Sequence, residues 1–192
     1  MKRSITRRKV RRRLVWVGAI AALAALLIAD RAGWLLVRRV DDMAAYHGMQ
    51  TRITSVLDGD TIEVALPDAL HERPATRVRL WGIDCPEPAR ARQEAEPWAE
   101  EAAALCRSLT EGATITLWLE PQRTRGVFGR VLAHVQLPNG SSLNEALLAA
   151  GLAVADDRWP HANLTRYAQL ENTARRQGVG IWSEEEKGSE DE

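Results

Sequence analysis

Asp58-Gly-Asp60-Thr61, then Arg79 followed by Asp84-Cys-Pro-Glu87, then Gly129-Arg130 bring carboxylates and guanidinium groups onto short neighbouring segments. Carboxylates alone would suggest a metal site, and arginines alone an ion pair. Together they suit a hard cation beside an anion whose charge is spread over several oxygens. Hydrolysis of a phosphodiester needs that combination: oxygen ligands for the metal, a base for water and guanidinium forks for the developing charge. Asp84 and Glu87 lie three residues apart on a segment that turns away through Pro86, beside an arginine that falls inside a strand pattern. Arg130 follows Gly129 at a strand start, where close backbone approach is cheap. Asp58-Gly59 taken alone is ordinary hairpin chemistry.

Other chemistries find less support. His47, His71, His134 and His161 are dispersed along the chain, with no Cys, Asp or second His at ligand spacing, so a zinc centre or a histidine base is not expected. Ser141 and Ser142 lack a Gly-x-Ser-x-Gly setting. Trp81, Trp98, Trp118 and Trp182 are spaced as core residues, whereas Trp159 lies in a polar loop from which it could stack on a base. Arg123 and Arg125 read as solvated loop residues. Cys85 and Cys106 form no metal pattern; they would be a disulfide in an exported domain, or two buried free thiols.

The formal net charge of zero is a cancellation between ends. Residues 1–13 carry eight Lys/Arg and no acid, and residues 184–192 carry six acids and one lysine. Between residues 49 and 183 there are 14 arginines, 17 acids and no lysine. A broad basic footprint for duplex binding is therefore missing, although a small site with locally clustered arginines is compatible with this balance. The basic start precedes an apolar run from Leu14 that extends, with an interruption at Asp30-Arg31, to Val37. This reads as a membrane signal-anchor helix over 14–37 with residues 1–13 in the cytoplasm, and a cleaved signal peptide is the alternative. Residues 38–48 read as a linker, 49–183 as one domain, and 184–192 as an acidic disordered tail.

The elements that must position the acids and arginines follow from pattern. Thr51 to Leu57 alternates and runs into Asp58-Gly59, so it predicts a hairpin with Thr61 to Leu66. Ala75 to Ile83 resumes as a strand, with Val78 and Leu80 on one side and Arg77, Arg79, Trp81 and Ile83 on the other. Arg79 should then be partly desolvated and need an anionic partner. Glu96 to Glu111 predicts a helix with Trp98, Ala102, Leu105 and Leu109 as its stripe and Pro97 in its first turn. Thr114 to Glu120 and Gly129 to Leu137 are further strands. Ser142-Leu-Asn-Glu145 is a capping box for a short helix that Gly151 ends. Asn163 is placed to cap a last helix to Gln177, with Leu164, Tyr167, Ala168 and Ala174 facing the core. The expected fold class is α+β, mainly β: a five-stranded Greek-key barrel of the oligonucleotide-binding (OB-fold) type with three helices, preceded by a transmembrane helix.

In order along the chain stand Asp-Gly-Asp-Thr, Arg-Leu-x-Gly-Ile-Asp-x-Pro-Glu, Phe-Gly-Arg, Asn-Glu-Ala-Leu-x-x-x-Gly-Leu-Ala and Gly-Ile-Trp-Ser. This series, from about Thr51 to Ser183, resembles the thermonuclease (staphylococcal nuclease-like) family. The resemblance implies a calcium-dependent nuclease that cuts DNA or RNA and leaves 3′-phosphate ends. It implies Ca²⁺ on Asp60, Asp84 and the backbone carbonyl of Cys85, with Asp58 as a nearby supporting carboxylate. It makes Glu87 the general base or the residue that orients water, and Arg79 and Arg130 the phosphate-binding pair. Phe128, Arg125 and Trp159 are the positions implied for substrate contact. The chain departs from the family at Gly126-Val127-Phe128, where an acidic residue, a basic residue and a tyrosine are usual, and at Cys85, where threonine is usual. The expected partners are single-stranded DNA or RNA as substrate and a membrane through the N-terminal helix. The protein is expected to be a monomer with its domain on the periplasmic or extracellular side, or secreted if the signal is cleaved. The rival functional class is a non-catalytic binding module on the same barrel, tethered to the membrane, that grips nucleic acid or a protein.

Overall fold

The computed structural model describes residues 16, 18–25, 41–89, 91 and 93–183. The chain divides into two units, Met1–Val40 and Asp41–Glu192. In the first, residues 18–25 are helical. Among the described residues no helix is long and apolar enough to cross a membrane. Much of the apolar span expected over 14–37, the basic segment 1–13 and the acidic tail from 184 lie outside the described residues.

In the second unit the strands are β1 (Gln50–Val56), β2 (Thr61–Val64), β3 (Thr76–Leu80), β4 (Ile83–Asp84), β5 (Thr114–Trp118), β6 (Val131–Gln136) and β7 (Val154–Ala155). Five of them close a barrel in the order β1-β2-β3-β6-β5, and β4 pairs separately with β7. The expected five-stranded barrel is thus present, and every neighbouring pair within it is antiparallel except β3 with β6. The helices are α1 (Asp42–Tyr46), α2 (Ala99–Thr110), α3 (Leu143–Ala149) and α4 (Leu164–Gln177), with a 3₁₀ turn at Gly180–Trp182.

Alternation fills the barrel. Ile62 and Val64 of β2, Val78 and Leu80 of β3, Ile115 and Leu117 of β5, and Val131, Ala133 and Val135 of β6 are all buried. Ala102 and Cys106 of α2 and Leu143, Leu147 and Leu148 of α3 join the same core. The Asp-Gly hairpin forms where expected: Val56 pairs with Ile62, and the Leu57 N–H donates to the Thr61 carbonyl at 2.9 Å. A bulge between Ile53 and Ser55 bends β1, the kind of local twist that helps a small sheet close.

Four expectations change in detail. The segment Ala75 to Ile83 is not one strand. It breaks at Trp81-Gly82, where Gly82 has φ +78° and the His161 ring lies where a Cβ would project. Trp81 and Ile83 are consequently buried, and do not share an outer face with Arg79. The helix expected from Glu96 begins at Ala99; Trp98 takes the left-handed φ of 68° at its N-cap, so Pro97 lies outside. The buried stripe of α2 is Ala99, Ala102, Ala103, Cys106 and Thr110, with Leu105 and Leu109 at its margin. Asn163 holds the N-cap position of α4 but makes no side-chain cap bond there, and Leu164 is exposed while Leu170 packs inward. Finally, residues 41–48, expected within a linker, are folded: Asp41 caps α1, and Tyr46 is buried with its hydroxyl donating to the Pro67 carbonyl at 2.9 Å.

Candidate active site

Register explains how distant acids and arginines meet. Arg79 of β3 lies opposite Thr61 of β2 on one side and Leu132 of β6 on the other. Asp60 immediately precedes β2, Asp84 ends β4, and Arg130 immediately precedes β6. Arg79 bridges the two carboxylates, donating from Nη1 to Asp60 Oδ1 and from Nη2 to Asp84 Oδ1. Nη2 also donates to the Ile83 carbonyl at 3.2 Å. The second Asp60 oxygen accepts the Cys85 N–H at 2.8 Å, and the Asp60 N–H donates to Asp58 Oδ1 at 3.1 Å. Thr61 links the second arginine to this group. Its hydroxyl donates to Asp60 Oδ1 at 3.2 Å and accepts from Arg130 Nη1 at 2.9 Å. Two guanidinium groups and two carboxylates therefore belong to one connected network.

Burial sets the electrostatics. Burial pushes the Asp60 carboxyl up to about 7, and Asp58 and Asp84 push the same way, against Arg79 and the Cys85 N–H. Burial opposes the charge on Arg79, but Asp60 and Asp84 outweigh it and hold the guanidinium above its usual value. A low-dielectric carboxylate that is costly to ionise is one that gains most from a cation nearby. Asp60 and Asp84, joined through Arg79, present carboxylate oxygens of the hard class, which fit a divalent cation that prefers oxygen. Among the described residues, no three His, Cys, Asp or Glu side chains form a group able to hold a metal ion by themselves. A cation here would therefore need oxygen ligands beyond these two carboxylates.

Glu87 sits beyond Pro86. Its N–H donates to Glu96 Oε2 at 2.9 Å, and the Glu96 N–H donates to the Glu87 carbonyl at 2.9 Å, a reciprocal pair that fixes the segment ahead of α2. Glu87 and Arg130 face one cavity of about 380 Å³, whose lining also includes Phe128. The base candidate, one arginine and the exposed aromatic thus share a space.

The remaining sequence candidates fall in different surroundings. Asp58 is at the hairpin turn as a hydrogen-bond acceptor for Asp60. Gly59 allows close packing there, since a Cβ would overlap Cys85 and Ala102. Phe128 is 79% exposed, with the Arg130 guanidinium 5.8 Å from its ring centre. Trp159 is half exposed, and the Arg123 guanidinium stacks on it at 3.8 Å. Arg125 is elsewhere engaged. Its guanidinium is nearly buried and shared between Asp42 at 2.7 Å and Asp68 at 3.1 Å, with a further bond to the Gly129 carbonyl. Its charge is neutralised inside the fold by these two carboxylates, which gives Arg125 a structural role in place of the expected substrate contact. Cys85 and Cys106 are both free, buried thiols, and burial pushes the Cys106 thiol up to about 12.

Some positioning residues carry little signal in the sequence. Thr61 reads there as a strand residue only, although it couples Arg130 to Asp60. Buried Asn144 of α3 accepts the Val135 N–H and donates to the Trp81 carbonyl, both at 3.0 Å, and so fixes the turn that aims Asp84. Its place one residue before the Glu of a capping box is the available signal. Asp42 falls in the expected linker, and no local pattern could pair it with Arg125, 83 residues away. The dispersed histidines also meet in part. His134 and His161 have ring centres 5.3 Å apart, and His134 Nδ1 lies 2.8 Å from the Tyr167 hydroxyl.

A family model described as staphylococcal nuclease homologue matches residues 77–184. A protein of Escherichia coli, named an uncharacterized endonuclease, is 36% identical over 141 residues, covering 73% of this chain and 80% of its own length. A micrococcal nuclease of Shigella flexneri is 30% identical over 169 residues, 85% of this chain and 88% of that protein. A thermonuclease of Staphylococcus hyicus is 28% identical over 133 residues, 69% and 75% of the two lengths. The closed barrel, the acid-and-arginine network at its strand ends and this spread of relatives lead to one conclusion: the chain belongs to the staphylococcal nuclease-like family.

Proposed function

We propose that this protein is a Ca²⁺-dependent nuclease that hydrolyses phosphodiester bonds in DNA or RNA and leaves 3′-phosphate ends. The observation that carries the reading is the single network in which Arg79 bridges Asp60 and Asp84 and Arg130 joins it through Thr61. A binding module would gain nothing from two carboxylates turned toward a polyanion, because each would repel it. A nuclease gains a place for a cation.

Each group has a role it is suited to. Asp60, Asp84 and the Cys85 carbonyl would hold the cation, which when bound supplies positive charge against the phosphate oxygens. Arg79 and Arg130 offer forks of N–H donors to those oxygens and to the charge that develops on them in the five-coordinate transition state. Glu87 accepts a proton from the attacking water, whose oxygen forms the new bond to phosphorus. The bond from phosphorus to the 5′ oxygen breaks, so the phosphate stays on the 3′ side and the other fragment leaves with a 5′ hydroxyl. Phe128 and Trp159, both exposed aromatics, would offer rings on which bases stack.

We further place the domain on the outer side of a membrane, held by the apolar segment 14–37, where calcium is plentiful. The basic residues ahead of that segment and the absence of lysine from 49–183 support this orientation.

The test is Glu87→Gln, which keeps size and removes the base. Turnover on single-stranded DNA should fall by about 10² to 10⁴, the usual worth of a positioned base, while the melting temperature stays close to that of the parent. Product ends should carry 3′-phosphate, detected by their need for dephosphorylation before extension. Turnover within threefold of the parent would remove Glu87 from the chemistry, and 5′-phosphate products would reverse the assigned cleavage side.

A further inference from the structure

The turn that carries Arg130 is tied to two distant parts of the chain. The Leu132 N–H donates to the Thr124 carbonyl at 2.9 Å, and the Gly126 N–H donates to the Arg130 carbonyl at 3.0 Å, with Arg125 and Val131 bridged between them. These bonds close residues 124–132 into a tight loop. They leave the peptide between Gly129 and Arg130 unfixed, because Gly129 has φ +74° and glycine has wide backbone freedom. Arg125 supplies the restraint. Its Nη1 donates at 2.7 Å to the Gly129 carbonyl, which belongs to the peptide leading into Arg130. The His71 ring packs on the same glycine, so that an added Cβ would lie 2.5 Å from its Cε1.

Arg125 is itself held from far away in sequence. Asp42 of α1 accepts its Nη2 at 2.7 Å and its Nε at 2.8 Å, and also accepts the Thr124 hydroxyl at 2.9 Å. Asp68, in the loop between β2 and β3, accepts from Arg125 at 3.1 Å and lies 2.8 Å from His71 Nδ1. Side chains of Asp42, Asp68 and Arg125 are only 8%, 4% and 12% exposed. Three charges taken out of water are costly, and apolar residues of similar volume often hold segments together as well or better. What the charged cluster adds is direction. A forked pair fixes the plane of the guanidinium, and with it the nitrogen that meets the Gly129 carbonyl. The network also ends at the site, since Asp68, His71 and Gly129 line the cavity that Glu87 and Arg130 share.

We propose that Asp42, Asp68, Arg125 and His71 are positioning residues for the reaction: they orient the Gly129–Arg130 peptide so that the Arg130 guanidinium is already aimed when substrate binds. The inference rests on the nuclease reading given above. It makes α1, a segment that reads in the sequence as linker, a part of what turnover needs. A donor aimed in advance pays off in the transition state, so its misalignment falls on kcat more than on KM.

The test is a double-mutant cycle in the full chain, with kcat and KM measured in calcium on single-stranded DNA for the parent, Asp42→Asn, Arg130→Ala and the combined variant. Asp42→Asn keeps the side-chain size and weakens the fork on Arg125. Assayed well below its melting temperature, it should lose about 10- to 100-fold in kcat, with KM changed less. In the Arg130→Ala background the same substitution should change kcat by less than about twofold, because the group it positions is gone. A merely structural loss would multiply instead. Equal fold-losses in the two backgrounds overturn the proposal, and so does a parent-like kcat for Asp42→Asn. Should Asp42→Asn melt too early to assay, His71→Ala, which removes the ring packed on Gly129, is carried through the same cycle with the same two overturning results. Either of these in a parent that cleaves leaves the nuclease reading intact, whereas a parent that does not cleave overturns both.

Discussion

At Arg79 the guanidinium bridges Asp60 and Asp84, whereas at Arg125 it is shared between Asp42 and Asp68. Both arginines are largely buried, and the difference lies in what they join. Arg79 ties two acids that stand at strand ends and open toward solvent through Asp84, which is half exposed. Arg125 ties α1 to the loop after β2, and both of its acids are nearly buried. Burial opposes its charge, yet the hydrogen bonds to Asp42 and Asp68 raise its pKa above the usual guanidinium value. Removing one member of such a set strands the others without a counter-charge. Arg125→Ala should therefore cost about 3 to 5 kcal/mol of stability, read as a lowered urea midpoint, and Arg125→Lys should recover only part of it because one ammonium cannot serve two carboxylates in forked geometry. A midpoint unchanged by the alanine variant would show that this cluster is not structural. Arg79 is legible in the sequence because an arginine inside an alternating apolar strand demands an acid. Arg125 reads there as a solvated loop residue because its partners lie far away in sequence and in a segment expected to be a linker.

Among the elements, the hairpin, the α3 cap and the individual barrel strands are legible because short-range chemistry fixes them: Asp-Gly turns, Ser142 accepting from Glu145 N–H at 3.3 Å, and alternation along each strand. The interruption of β3 is not. Trp81 and Ile83 continue the alternation by type, and only the left-handed Gly82 against His161 reveals the turn. The end of α3 shows a related constraint. Gly151 has φ +68°, a Cβ on it would overlap the Val179 carbonyl, and one on Gly180 would overlap the Gly151 carbonyl. Backbone meets backbone there, so neither side can give way as a flexible side chain would. Gly151→Ala should cost at least about 1–2 kcal/mol from its left-handed conformation alone, and more from the overlap. Calorimetric melting would check it, and a variant as stable as the parent would mean that the 3₁₀ turn does not dock on α3 as described.

Over the whole molecule, different groups make stability depend on pH in different windows. Burial and the neighbouring His161 push the His134 pKa down from 6.5 to about 4, although Glu120 lies 3.5 Å from Nε2 and acts in the other direction. Between those pH values the unfolded chain holds a proton on this residue that the folded chain refuses, so stability falls as pH drops from about 6.5 to about 4. Asp68 acts lower. Burial raises its pKa, but the bonds from Arg125 and His71 outweigh that and lower it from 3.8 to about 2. Its contribution is fully present above 3.8 and is lost as pH falls toward 2. Asp60, whose carboxyl is pushed up to about 7, acts in the opposite sense over the same window, so the His134 effect is read as a difference. As pH drops from 7 to 4 the melting temperature of the parent should fall relative to that of His134→Gln, and parallel curves for the two proteins would exclude His134 as a contributor. The barrel and the family are readable from residues 51–183 alone, because each motif carries its own turn or cap, whereas the role of the N-terminal 40 residues rests on composition. The central claim is tested most directly by incubating the full chain, solubilised in mild detergent, with single-stranded DNA in millimolar calcium and then in excess EDTA. The account predicts rapid cleavage in calcium that falls by orders of magnitude on chelation and returns when calcium is restored. Equal cleavage with and without the chelator, or intact DNA in calcium, would contradict it.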